Sequence, residues 1–225
     1  MGAALFAASL VLFGARYAGA FGLPIASGPD EAWIPALIDA GLFTVFALHH
    51  TLCARLGVKA FITRIVPAAL ERAVYVWIAS GLFIAVLLLW QPVPGVIWHV
   101  TGPWRVLPGA LQVAGAWITL ASARRLDVFE LAGVRQLDAP RLAAKPAVIG
   151  DGMYALVRHP IYFAWLLLVW PTAAMTGTRL VFASVSTLYL CMAIPFEERD
   201  LRRTFGPAYA AYAARVRARL VPFIY

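Results

Sequence analysis

The sequence predicts an all-α fold, a polytopic membrane bundle of about six spans with both termini in the cytoplasm. Three observations predict it. Of 225 residues, 62% are hydrophobic and 13% charged, against about 45–50% and about 25% in average globular chains. The apolar residues gather in runs near the ~20 residues that cross a bilayer as a helix. The basic residues, which leave a net charge of +8, fall on alternate loops, as the positive-inside rule requires. Eight Trp, eight Tyr and thirteen Phe exclude a disordered chain. Scattered basic residues in so apolar a chain speak for a membrane surface and against nucleic acid.

The first run extends from Gly2 to about Ile25 and is interrupted by Arg16. It has no basic stretch before its apolar core, so a retained helix is expected over a cleaved signal peptide. The second run covers Ala32 to Cys53, the third Ala73 to Trp90 and the fourth Val106 to Ala123. The stretch Ile161 to Phe196 has the length of two spans. Its break at Thr176-Gly177-Thr178 predicts a tight helical hairpin. On this layout sixteen of the nineteen basic residues lie on one side, which becomes the cytoplasmic side. One domain over residues 1–225 follows, with no internal repeat. Trp98 and Trp104 fall in an outer loop and read as an interface belt. Lys59 to Arg72 reads as a basic helix lying on anionic lipid. Cys53 and Cys191 sit in apolar stretches and read as buried free thiols.

Polar residues concentrate at the cytoplasmic ends of the later spans. The segment Gly152 to Tyr162 closes the long loop from Arg124, and Pro160 suits a first helical turn. Arg158 and His159 then stand at the mouth of span five, beside the positive end of its dipole, a place suited to an anion. Glu197-Glu198 directly follow the apolar end of span six, where carboxylates are costly unless they face protein, water or a cation. His49 and His50 are adjacent on a helix and point about 100° apart, so joint ligation of one metal is disfavoured.

These residues resemble a known pattern. Gly152, Tyr154, Arg158-His159-Pro160 and Tyr162, then Glu197-Glu198, Leu201, Phe205-Gly206, Tyr209 and Tyr212 are similar to the isoprenylcysteine carboxyl methyltransferase-like superfamily over about residues 150–222. Phe46 to Arg55, Pro67 to Val76 and Phe129 to Gln136 resemble the branch that holds methanethiol S-methyltransferases and NnrU-like membrane proteins. The resemblance implies S-adenosyl-L-methionine as cofactor, bound by Tyr154, Arg158, His159, Pro160, Tyr162 and Glu197, with no metal. It implies methyl transfer to a small or lipophilic acceptor, a thiol among them, at a bacterial inner membrane with the site facing the cytoplasm. Arg135, Glu130 and His50 are the candidate catalytic residues that place or deprotonate the acceptor. The isoprenylcysteine enzymes carry an Arg one turn before the first Glu; here that position is Ala193, which argues against a carboxylate acceptor. A lipid or amine-headgroup acceptor and a non-catalytic membrane component stand as alternatives.

Overall fold

A computed structural model of the chain describes residues 2–25, 33–53, 55–126 and 147–224. In chain order these form α1 (Gly2–Ala18), α2 (Trp33–Cys53), α3 (Leu56–Ile62), α4 (Ala68–Leu89), β1 (Val96–His99) and α5 (Val106–Ala123). There follow α6 (Pro160–Val169), β2 (Ala174–Thr176), α7 (Gly177–Phe205) and α8 (Pro207–Arg215). Five segments, Ala4–Gly22, Trp33–Cys53, Leu70–Leu89, Gly102–Ala123 and Gly177–Phe205, are long and apolar enough to cross a membrane. Their outward faces carry large apolar residues such as Val11, Trp117 and Leu188. That is the surface of a helix bundle whose solvent is lipid.

The interior is aromatic. Phe182 of α7 is fully buried and its ring meets those of Phe13, Tyr17 and Phe21 of the first helix and turn, Phe43 of α2, and Trp90 after α4. Trp165 of α6 stacks on Phe13 at 4.8 Å. Offset and edge contacts of this kind add to the area that each ring buries. α5 lies against α6 where Gly115 has no side chain: a Cβ there would stand 2.8 Å from the Ala164 carbonyl oxygen.

The expected hairpin takes another form. α6 has ten residues, about 15 Å at the helical rise, half of a ~30 Å hydrocarbon core. It stops before Pro171, which has no N–H to continue the ladder. The chain does not then turn tightly at residues 176–178. It runs extended through β2, which pairs antiparallel with β1, Trp98 opposite Met175 and His99 opposite Ala174. The ribbon satisfies backbone groups that an apolar surrounding would leave unpaired. α7 then runs 29 residues, well past Phe196, and its N-cap Thr176 accepts a hydrogen bond from the Arg179 N–H.

The basic segment after α2 also divides. Only Leu56–Ile62 forms the short α3, and Glu71 and Arg72 belong to the first turns of α4. Lys59 reaches the buried Glu71 carboxylate at 3.1 Å. Both cysteines are free, but neither is buried: Cys53 is half-buried and Cys191 is exposed on α7.

Candidate active site

Arg158 and His159 precede Pro160, the first residue of α6. Their backbone N–H groups donate to the carbonyls of Ala218 (3.0 Å) and Arg219 (2.9 Å). The segment after α8 is thereby laced alongside the start of α6. The Arg158 side chain completes the join. Its Nε donates to Glu198 Oε1 at 2.7 Å, and its Nη1 donates to the carbonyls of Ala213, Val216 and Arg217 at 3.0–3.3 Å. Both members of the pair are almost fully buried. Arg219 approaches Glu198 Oε2 at 3.7 Å, so this carboxylate lies between two guanidinium groups. The expectation that Arg158 offers its charge to an anion at the helix mouth needs correction. Its Nε and Nη1 point into the protein and clasp α7 to the tail.

The turn before α6 is braced from the same side. Tyr212 donates to the Tyr154 carbonyl at 2.8 Å, and Arg215 to the Gly150 carbonyl at 3.3 Å. Burial pushes the Tyr212 phenol up to about 12, which keeps this donor protonated. Tyr154 is buried, and burial, seconded by the charge of Glu197, holds its phenol well above the ordinary value. It is a neutral hydrogen-bond donor set beside a carboxylate.

Glu197 differs from its neighbour Glu198 in every respect that matters to a ligand. Its side chain is 44% exposed. Its Oε2 accepts the Tyr162 hydroxyl at 2.8 Å and lies 3.7 Å from His159 Nδ1. Among the described residues no arginine or lysine pairs with it. The His159 and Tyr162 rings lie parallel, 5.4 Å apart with 10° between their planes. His159 Nε2 is buried and lacks a hydrogen bond, at 3.5 Å from Glu198 Oε1. A half-exposed carboxylate beside two parallel aromatic rings has the chemistry to accept a cation.

The structure brings His50 into this neighbourhood and adds two residues that sequence reasoning missed. Tyr75 of α4 is hydrogen-bonded to His50 Nδ1 at 2.8 Å, and the His49 ring stacks on its other side. Tyr189 of α7 accepts the Thr51 hydroxyl at 3.0 Å and packs edge-on to His50. The Tyr162 phenol lies within electrostatic reach of both tyrosines, and Tyr189 within reach of Glu197. Tyr75 is the next-to-last residue of the Pro67–Val76 run noted above, and Tyr189 precedes Glu197 by about two turns on one helix; neither position by itself marks a part in the cluster. Arg135 and Glu130 lie outside the described residues. Ala193, one turn before Glu197, is buried and offers no charge.

An apolar helical bundle of membrane-crossing length, with buried and half-exposed carboxylates gathered at one end, defines an integral membrane protein with a polar candidate site. Comparison with known proteins narrows the class. The sequence model of the phospholipid methyltransferase family matches residues 104–208. The methanethiol S-methyltransferase of Pseudomonas sp. (strain GM41(2012)) is 40% identical over 226 positions, covering 97% of this chain and 86% of that protein. That of Mycobacterium tuberculosis is 36% identical over 83% of this chain and 78% of its own length. Nurim of Xenopus laevis is 32% identical over 72% of this chain and 61% of its own length. The chain belongs to the family of membrane methyltransferases that these S-methyltransferases represent, and it is an enzyme of that methyl-transferring class.

Proposed function

We propose that this protein methylates a small thiol at its polar end, with S-adenosylmethionine as methyl donor. The observation that carries the reading is the contrast within Glu197-Glu198. One carboxylate is neutralised by Arg158 and buried, while the other is left half exposed beside His159 and Tyr162, with no arginine or lysine partner among the described residues. The residues present fit the donor. Glu197 suits its ammonium or ribose hydroxyls, the parallel His159 and Tyr162 rings suit a sulfonium, and Tyr154 and Pro160 complete the wall. Arg158 positions this set without touching the ligand, because its clasp on Glu198 and the tail fixes the start of α6. When bound, the donor supplies an electrophilic methyl group for in-line displacement, a reaction that depends chiefly on alignment and exclusion of water.

The acceptor sulfur must be a thiolate, so the chain has to take up the S–H proton as the S–C bond forms. The His50–Tyr75 hydrogen bond provides a proton-handling pair near Tyr162 and Tyr189. Arg135 and Glu130 are proposed to place the acceptor from the loop. The name of the methanethiol S-methyltransferase relatives supports a small thiol, and Ala193 in place of a cation supports an acceptor without a carboxylate. We further read the chain as a single domain in a bacterial inner membrane. It crosses six times, α6 being the short crossing, with both termini and the site in the cytoplasm, since sixteen of nineteen basic residues belong to that side.

The experiment is a product panel. Purified protein in lipid nanodiscs receives methyl-labelled donor with methanethiol, larger thiols or phosphatidylethanolamine. Label in a volatile sulfide is the expected result. Label in an extracted lipid would replace the thiol reading with the headgroup one.

A further inference from the structure

The opposite end of the bundle carries a second cavity, of about 690 Å³, that the methyl-transfer reading does not use. It opens where two helices part. α1 packs chiefly on α4 and α5 on α6, and the space between α1 and α5 is floored by Leu168 of α6. Its walls are apolar and low, with Phe13 and Gly14 on one side and Pro108 and Gly109 on the other. An apolar space of this size on a membrane face forfeits dispersion contacts unless something fills it.

The rim has a different chemistry. Arg105 and His99 line it. Both are exposed, and among the described residues neither side chain has a hydrogen bond or ion pair. Arg179 also lines the cavity, but its guanidinium donates to the carbonyls of Tyr17, Ala18 and Ala174. No carboxylate lines the described wall. Trp98 and Trp104 flank the two rim residues in sequence, and both are exposed, which sets the rim at headgroup depth. An apolar slot below a basic, carboxylate-free rim complements an amphiphile with a negative head.

We propose that this cavity binds an anionic phospholipid, its phosphate on Arg105 and His99 and an acyl chain along the wall formed by Phe13, Pro108 and Leu168. Among the described residues the rim offers no carboxylate to pair a choline or ethanolamine ammonium, so a lipid of net negative charge is preferred over a zwitterionic one.

The test uses the full chain, delipidated in detergent, with retention of added lipid read by native mass spectrometry. Phosphatidylglycerol is expected to be retained at least about fivefold better than phosphatidylcholine, the scale of one basic residue at a membrane surface. Arg105→Gln should remove that preference and leave phosphatidylcholine unchanged. Gly109→Leu should displace both lipids, because a Cβ at Gly109 meets nothing within 4 Å and the side chain can occupy the cavity. Gly41→Leu is equally unhindered but lies away from the cavity, and should change neither. Thermal melts establish that each variant is folded. Equal retention of the two lipids, an unchanged preference in Arg105→Gln, or competition by inorganic phosphate at the lipid's concentration would overturn the proposal.

Discussion

Arg158 and Arg179 are both buried arginines, one at each end of the bundle, and they are satisfied in opposite ways. Arg179 holds only backbone: the Tyr17, Ala18 and Ala174 carbonyls accept its hydrogens, and its guanidinium lies over the Tyr17 ring at 5.3 Å. It closes the C-terminal end of α1, where unpaired carbonyls and the helix dipole favour a cation. Arg158 holds a carboxylate as well, Glu198, together with three tail carbonyls. A buried ion pair is weak evidence of stability in itself. Beside it, however, stands a second carboxylate, Glu197, that no arginine or lysine among the described residues pairs with and that has only His159 and Tyr162 at its side. At the ribbon end Arg179 ties backbone to backbone; at the other end Arg158 anchors a framework that leaves Glu197 half exposed.

The comparison breaks first at Arg158. Arg158→Met leaves Glu198 buried without its principal partner and should cost about 3–5 kcal/mol of stability. It should also expose residues 216–219 to hydrogen exchange. The double variant Arg158→Met with Glu198→Met should recover a large part of that loss, because replacing a whole buried pair is far cheaper than breaking it. Arg179→Met removes several charge-assisted hydrogen bonds and should cost about 1.5–3 kcal/mol. If its role is structural, turnover per folded molecule, measured against a melting curve, stays at the parent value. Tyr162→Phe deletes the hydroxyl on Glu197 Oε2 and should raise the Michaelis constant for the methyl donor roughly tenfold, with little change in melting temperature. Arg203→Gln should alter stability by no more than about 0.5 kcal/mol. Its partner Asp200 is 3.9 Å away and the arginine is 69% exposed, the setting in which ion pairs contribute least.

Much of this was legible in the chain because it is local. A helix as long as the bilayer shows as a run, and the asymmetry of the basic residues shows which loops share an end. Gly152 to Tyr162 and Glu197-Glu198 announced the site, since polar groups at an apolar boundary need a reason. What stayed hidden depends on distant partners. β2 pairs with β1 some seventy-five positions earlier, so Ile161 to Phe196 read as a tight helical hairpin when it is a short helix, an extended strand and a long helix. Arg158 reads as a free cation until Glu198 and the tail carbonyls are seen around it. Tyr75 and Tyr189 belong to different helices, and neither carries a local mark of its part in the cluster with His50 and Tyr162.

In the proposed function Glu197 receives the charge of the methyl donor while Glu198 holds the fold. Equilibrium binding of S-adenosylmethionine to purified parent and Glu197→Gln, each with a melting curve, tests it most directly. The account predicts binding weakened at least about thirtyfold, the scale of about 2 kcal/mol for one charge-assisted contact, with the melting temperature nearly unchanged. Equal affinity in a folded Glu197→Gln variant would contradict it.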